Sequence, residues 1–341
     1  MALNPSSTVV SYQQGASLIA SGMLLGSDKY IATRILGVNP VGARQGFYYK
    51  EVTGNWMNRI ATRRADGAGF AKVDMSFDLT AYKVENFGIE SPISDEQFAE
   101  FNPQFGGSLA ERLTMQAMHP ILRDYESIVS GLLFNTTTYP TGTGTGFGAG
   151  AEWDAAGGTP VNDVARCIDE LADTWNGIDT NQIGVVVHRK LASKMFRNAQ
   201  IRTGLGAAFT QPSVVEGNAP IPVLEQALAK ALGVGEVIIS QSGYRSGGTE
   251  AAGTYTADWN PFYAGVFIRG NMDMGRFYSG LGQTLAWSEM APTGPGAVPA
   301  PISVVRYRND PTKSDVLQLS AYLKAEVVNT NAFMLITGCD S

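Results

Sequence analysis

The chain has 341 residues, of which 44% are hydrophobic and 16% charged, and its formal net charge is −6. This balance argues against a dedicated nucleic-acid binder, two cysteines are too few for a metal cluster, and no apolar run reaches the ~20 residues of a membrane span. Because soluble domains usually carry charge on about a quarter of their residues, the low charged fraction indicates a surface that other copies partly cover.

The N-terminal segment, residues 1–40, is polar and rich in Gly and Ser. This composition predicts an extended arm that finds its contacts elsewhere. The segment lacks the basic stretch followed by an apolar stretch that marks a signal peptide. We therefore expect a protein that is made and assembled in the cytoplasm.

Residues 41–82 are predicted to form a long β-hairpin with a polar tip. Apolar and polar residues alternate strictly over 73–82, which is typical of a strand with one apolar face. The apolar residues of that face are Val73, Met75, Phe77, Leu79 and Ala81. A hairpin of this length, with so polar a tip, is not expected to pack entirely on its own domain.

Two helix signals follow the hairpin. Ser94 and Gln97 fit a capping box, which predicts the start of a short helix. Over 108–134, apolar residues recur every three or four positions and predict a helix roughly 40 Å long with one buried stripe. Pro120 is expected to kink it.

The rest of the chain changes character twice. After a Thr/Gly-rich connection, helices and short strands alternate over 151–290, beginning with a helix at Thr159-Pro160, and predict a compact α/β domain. A Pro-rich junction at 291–301 leads into strands near 304–307, 317–327 and 333–336. With no helix between them, these strands are expected to pair antiparallel and to lie beside the long helix and the strand at 73–82.

Three segments carry a resemblance to a known family. They are Tyr82 to Glu96 (YKVENFGIESPISDE), Gly184 to Asn198 (GVVVHRKLASKMFRN) and Ala231 to Ile239 (ALGVGEVII). Together with the order of elements, they resemble the major capsid proteins of tailed phages, which have the Hong Kong 97-type fold that encapsulin shells share.

The resemblance implies an α+β fold with defined parts. These are an N-terminal arm (1–40), an extended hairpin loop (41–82), a peripheral domain (83–150 and 291–341) whose spine helix spans 108–134, and an axial domain (151–290). It implies pentamers and hexamers of an icosahedral shell around double-stranded DNA in a virion, with scaffold, portal and decoration proteins as possible partners. The family's common N-terminal scaffold-like extension is not seen, so a separate scaffold, a trimmed precursor and assembly without a scaffold all stay open.

Charge is divided unevenly along the chain. Residues 1–74 contain eight Lys or Arg and four Asp or Glu (8 − 4 = +4), whereas residues 75–135 contain three and nine (3 − 9 = −6). This division predicts head-to-tail contacts between copies, and contact with DNA is expected to be weak and non-specific. The candidate inter-subunit residues are Lys50, Arg59, Arg63, Arg64 and Lys72 on the basic side, and Glu85, Glu90, Asp95, Glu96 and Glu100 on the acidic side.

The sequence predicts no catalytic residue, metal site or cofactor. His119 and His188 are interpreted as structural, and Ser108 in Gly-Gly-Ser-Leu-Ala lacks the final glycine of a nucleophile elbow. The glycine run at 142–148 lacks the lysine of a phosphate-binding loop. Three alternatives stay open: an encapsulin-type shell that loads a cargo enzyme, another virion part such as a tail tube, and an α/β hydrolase.

Overall fold

The computed structural model describes residues 29–51, 77–97, 99–100, 109–141, 146–155, 157–175, 178–205, 212–215, 217, 219–246, 254–269, 280–287 and 302–340. The helices are α1 (Ala32–Ile35), α2 (Leu109–Leu133), α3 (Pro160–Trp175), α4 (Arg189–Met195), α5 (Ala199–Gly204), α6 (Pro212–Val215) and α7 (Ile221–Leu232). The strands are β1 (Val38–Val41), β2 (Gln45–Glu51), β3 (Phe77–Lys83), β4 (Glu85–Ser94), β5 (Gly146–Gly148), β6 (Ile183–His188), β7 (Glu236–Ser240), β8 (Gly243–Ser246), β9 (Thr254–Ala257), β10 (Ala264–Ile268), β11 (Gly282–Trp287), β12 (Ile302–Asn309), β13 (Ser314–Val327) and β14 (Phe333–Thr337).

The first sheet, sheet I, is built around the 14-residue strand β13. β4 pairs antiparallel with one edge of β13. Along the other edge, β12 pairs antiparallel with its first part and β11 with its second, and β1 adds a parallel strand beyond β11. The predicted antiparallel pairing of the C-terminal strands is confirmed for β12 and β13. The strand at 73–82 does not pair with these strands, because its described part, β3, pairs with β2, and β4 takes the place beside β13.

The second sheet, sheet II, has the strand order β5-β14-β10-β6-β7. β14 lies here, next to β10, and not with the other C-terminal strands. Its apolar residues Phe333 to Ile336 are all buried, which suits a strand covered on both faces. Conversely, β11, from the segment expected to be axial, pairs in sheet I. A division of the chain at 290/291 therefore cuts across both sheets, and the domain boundaries stay a prediction.

The long helix α2 begins and ends within one residue of its predicted limits and continues through Pro120. Its buried face packs on β13 and β4 and consists of Met118, Ile121, Leu122, Tyr125, Val129 and Leu133. Ile128 and Leu132, which the spacing assigned to the same stripe, are 37% and 39% exposed. Within the described part of the chain, no helix has the length and apolar character needed to cross a membrane.

Local signals at helix ends are confirmed where the structure describes them. The backbone N–H of Gln97 donates to Ser94 Oγ at 3.2 Å, and Gln97 Oε1 accepts from the Ser94 N–H at 3.3 Å, which is a reciprocal capping box. α3 begins at Pro160, where a missing N–H costs no helical hydrogen bond. α7 ends at Gly233, whose φ of 70° is left-handed and favours glycine.

Candidate assembly surface

The base of the predicted hairpin is the antiparallel pair β2–β3, which runs in register from Gln45 opposite Lys83 to Glu51 opposite Phe77. Its two faces differ. Tyr48 and Tyr82 pack against the small buried cluster of Val84, Leu285 and Tyr322 beside sheet I. This face therefore lies on the body of the same chain.

The other face of β2–β3 is uncovered in the single chain. Phe47 is 65% exposed and Leu79 is 55% exposed, although Leu79 belongs to the apolar alternation that sequence analysis singled out. An exposed pair of large apolar side chains on one face marks an interaction surface better than scattered single residues do. The alternation thus predicted the strand, but Leu79 on its apolar face points away from the chain's own core.

A groove of about 350 Å³ lies between α2 and sheet I. Its apolar walls come from the outer side of α2, including Ile128 and Leu132, and from alternate residues of β13. Its lining residues are Glu85, Phe87, Tyr125, Ile128, Leu132, Leu323, Lys324, Ala325, Glu326 and Val327. Ile128 and Leu132, which the core leaves exposed, therefore belong to a concave surface with a charged rim.

The acidic candidates do not form a single patch. Glu85 and Glu90 are five positions apart on β4, and because side chains alternate along a strand they lie on opposite faces. Glu85 Oε1 accepts a hydrogen bond from Lys324 Nζ at 2.7 Å. Glu90 Oε1 lies 3.5 Å from the hydroxyl of Tyr307.

Asp95 forms a bidentate ion pair with Arg308 at the end of β12, with Arg308 Nη2 2.6 Å from Asp95 Oδ2. The hydrogen bond and positive charge of Arg308 lower the pKa of the Asp95 carboxyl. Glu96 and Glu100 are exposed. Glu85 and Asp95 thus have cations of their own chain as partners, and exposed pairs of this kind contribute little to stability. The inter-subunit role of these acids stays a prediction.

Of the five basic candidates, the structure describes one. Lys50 lies on β2, whereas Arg59, Arg63, Arg64 and Lys72, together with the N-terminal 1–28, lie outside the described residues. Ser108 and the glycines at 142 and 144 also lie outside them.

Both histidines make structural contacts. His188 Nδ1 accepts a hydrogen bond from the Lys190 N–H at 3.2 Å and so caps α4. Burial lowers the pKa of His188 to about 4. His119 Nδ1 is 3.1 Å from the Tyr30 hydroxyl, and burial, with the charges of Lys29 and Arg123, lowers the pKa of His119.

The tertiary structure also gathers three carboxylates that sequence analysis did not single out. Oxygens of Glu152, Asp154 and Asp340 lie within 4.8 Å of one another. Lys194 forms ion pairs with Asp154, at 3.1 Å, and with Asp340. Because the Lys194 ammonium already pairs with two of the three carboxylates, this cluster is explained as an ionic tie between α4 and the C-terminal residues.

Proteins of known structure resemble this chain in fold, although its sequence matches no protein-family model and has no significant match among curated proteins. The chain is similar to a phage-related protein from Bordetella bronchiseptica RB50, with a TM-score of 0.66 at 15% identity over 95% of this chain and 96% of that one. It is similar to the capsid of cyanophage P-SCSP1u, with a TM-score of 0.51 at 11% identity over 90% and 87%. It is also similar to a virus-like particle from Pyrococcus furiosus, with a TM-score of 0.50 at 9% identity over 96% and 98%.

Sequence identities of 9–15% support similarity of the fold alone. Two of the likenesses nevertheless cover 95% and 96% of this chain. The resemblance read from the sequence is confirmed at this level: the chain is a mixed helix-and-strand protein with the Hong Kong 97-type capsid fold.

Proposed function

We propose that the chain is the major capsid protein of a tailed-phage-type virion, which assembles through pentamers and hexamers into an icosahedral shell around double-stranded DNA. The observation that carries this proposal is the fold match over 95% of the chain and 96% of a phage-related protein. A match confined to one domain would leave the rest of the chain free for other roles. In this proposal the chain is a structural subunit and not an enzyme.

The uncovered face of β2–β3 supports assembly through the hairpin. Phe47 and Leu79 are exposed in the single chain, and burial of such side chains is worth about 25 cal/mol per Å² of apolar surface. In this proposal, the hairpin extends over a neighbouring copy, with Arg59, Arg63 and Arg64 near acidic surface of that copy. The exposed apolar side chains at its base supply area that one chain cannot bury.

The groove between α2 and sheet I is the second surface that supports assembly. Ile128 and Leu132 are exposed there beside apolar residues of β13, and the rim carries Glu85, Lys324 and Glu326. An apolar centre with a polar rim is common in protein interfaces. We place α2 as the spine of the subunit and this groove among its contacts with other copies.

Packaged DNA is proposed to touch the shell weakly. With a net charge of −6, the subunit as a whole repels phosphates, and affinity for DNA depends on how many phosphates its cations can neutralise. Scaffold, portal and decoration proteins are further partners that this role implies. Assembly in the host cytoplasm and location in the virion follow from the same role.

A second candidate function keeps the shell and changes its contents. The likeness to a virus-like particle from Pyrococcus furiosus spans 96% of the chain, which supports a closed shell as the product without specifying DNA. An encapsulin-type compartment that loads a cargo enzyme is this alternative.

Electron microscopy of the purified full-length protein tests the proposal. Closed, roughly isometric shells built of pentamers and hexamers are the expected result. Long tubes would support a tail-tube protein instead, and a monodisperse monomer over a wide concentration range would overturn the assembly role altogether.

A further inference from the structure

The carboxylate of Glu126 lies buried where three parts of the chain meet. These parts are α2, which carries Glu126, the N-terminus of α1, and the segment that contains Ser242 and Trp259. Glu126 has no exposed surface. A fully buried ionisable side chain costs stability unless its hydrogen-bonding groups are satisfied, so its partners need to be accounted for.

Four donors surround the two carboxylate oxygens. The Ile31 N–H donates to Oε1 at 3.1 Å and the Ala32 N–H to Oε2 at 2.9 Å, so Glu126 binds the unpaired amides at the start of α1. Trp259 Nε1 donates to Oε1 at 2.5 Å, and Ser242 Oγ lies 3.4 Å from the same oxygen. One side chain thus ties together residues 95 and 133 positions away from it in sequence.

α1 is also tied to sheet II and sheet I. Arg34 donates to both oxygens of Glu225 on α7, at 3.2 and 3.1 Å, and to Glu236 on β7 at 2.9 Å. Directly after α1, the Leu36 carbonyl accepts from Thr284 Oγ1 on β11 at 2.8 Å. The α1 segment, whose first amides bind Glu126, therefore contacts both sheets, and any loosening of it changes how they are coupled.

Charged and titratable groups face this junction from each element. They are Lys29 and Tyr30 before α1, His119, Arg123 and Tyr125 on α2, and Tyr255 and Asp258 beside Trp259. Both oxygens of Asp258 are buried, and its negative charge opposes ionisation of Glu126. The four donors favour the ionised form, whereas burial and Asp258 favour the neutral form.

We propose that Glu126 is a proton-dependent latch, in which protonation of the buried carboxyl tightens α1 against α2 and the Trp259 segment and ionisation loosens it. In the loosened form, water solvates the carboxylate. Ionisation then no longer carries the free-energy cost of desolvation. In the tight form, a proton on Oε1 leaves Oε2 as the acceptor for the Ala32 N–H, while the Ile31 and Trp259 N–H groups face the hydroxyl oxygen of the carboxyl. Ser242 Oγ, a hydroxyl, can turn to accept the added proton.

The sign follows from linkage. Burial, the largest cause, raises the pKa of Glu126 to about 7 in the tight form, whereas a solvated glutamate has a pKa near its ordinary value of about 4.3. The tight form therefore binds the proton more strongly, and the balance moves towards the loosened form as pH rises through 7. Between pH 5.5 and 8.5, the fraction of time spent loosened is expected to rise about 30-fold.

Hydrogen exchange measures this opening in the full-length protein. The peptide containing the Ile31 and Ala32 amides is expected to exchange about 30-fold faster at pH 8.5 than at pH 5.5, after correction for the intrinsic rate. In Glu126→Gln, which keeps an acceptor oxygen without the charge, the corrected rate is expected to be independent of pH. Asp169→Asn, at an exposed position of α3, is the control and should behave as the wild type does.

A corrected rate that is flat in the wild type, or that rises equally in Glu126→Gln, would overturn the latch. If Glu126→Gln fails to fold, Trp259→Phe decides, because the Trp259 hydrogen bond lowers the pKa of Glu126. Its removal should move the midpoint of opening to higher pH, and an unmoved midpoint would contradict the proposal. The junction lies within one chain, so this result does not depend on shell formation.

Discussion

At the scale of single residues, His188 is a buried helix cap whose neutral form the fold requires. Its Nδ1 accepts from the Lys190 N–H, and burial lowers its pKa to about 4. Since the unfolded chain binds this proton near pH 6.5, the contribution of His188 is fully present above that pH. It is lost as pH falls towards 4, on the order of 3 kcal/mol in free energy of unfolding.

Urea unfolding at pH 7.5 and pH 4 measures this loss. His188→Asn retains a capping oxygen but cannot take up the proton, so its stability should fall less with acid than that of the wild type. His188→Ala removes the cap and should cost about 1–2 kcal/mol at pH 7.5. Equal acid dependence in wild type and His188→Asn would refute this assignment. Glu126 contributes to the free energy of unfolding with the opposite pH dependence. Because all three proteins retain Glu126, this contribution cancels when their free energies are compared at the same pH.

At the scale of elements, substitutions on the uncovered face of the hairpin base should affect assembly without affecting folding of the subunit. Phe47→Ser with Leu79→Ser changes only the uncovered face of β2–β3, so the free energy of unfolding of the subunit should change by about 0.5 kcal/mol or less per site. The yield of closed particles should fall sharply, because the apolar area for a neighbour is lost. Particle yield by sedimentation and unfolding in urea are the two measurements.

Tyr48→Ser is the matched control on the opposite face, which packs against the chain's own cluster. It should lower subunit stability by more than either exposed change does. If the Phe47 and Leu79 changes destabilised the subunit as much as Tyr48→Ser, the uncovered face would belong to the core and not to an interface.

The hairpin's basic residues give a second prediction at this scale. Arg63→Glu with Arg64→Glu reverses two charges in the segment expected to lie near acidic surface of a neighbour, and like charges in contact oppose association. Circular dichroism should show a folded subunit while electron microscopy shows few shells. The control variant Arg63→Lys with Arg64→Lys keeps the positive charges and should form shells. Normal shells from Arg63→Glu with Arg64→Glu would show that these hairpin residues do not contribute to the contact between copies.

At the scale of the whole molecule, the contents of the particle distinguish the two proposed functions. We expect intact particles to protect double-stranded DNA from nuclease. Because the acidic subunit holds phosphates weakly, opening the shell at ordinary salt should release that DNA without retention on the subunits. Gel analysis of nucleic acid and protein before and after opening measures both. A stoichiometric second protein without DNA would favour the cargo-loading compartment.

Elements whose signals are local could be predicted from the amino-acid sequence. Ser94 and Gln97 make the predicted capping box because both partners lie within one helical turn. The alternation near Leu79 made a strand, and the spacing along α2 placed its ends, because backbone geometry fixes periods of two and 3.6.

Strand pairing, the apolar face that stays uncovered and the position of Glu126 are set by contacts between distant parts of the chain, and so they became visible in the three-dimensional structure. β4 took the place beside β13, and β14 joined sheet II, because partners far apart in sequence are chosen by the surface that each strand can bury. The charge count registered Glu126 only as one acid among nine. Its donors come from positions 31, 32, 242 and 259, and no local pattern relates residues that only folding brings together.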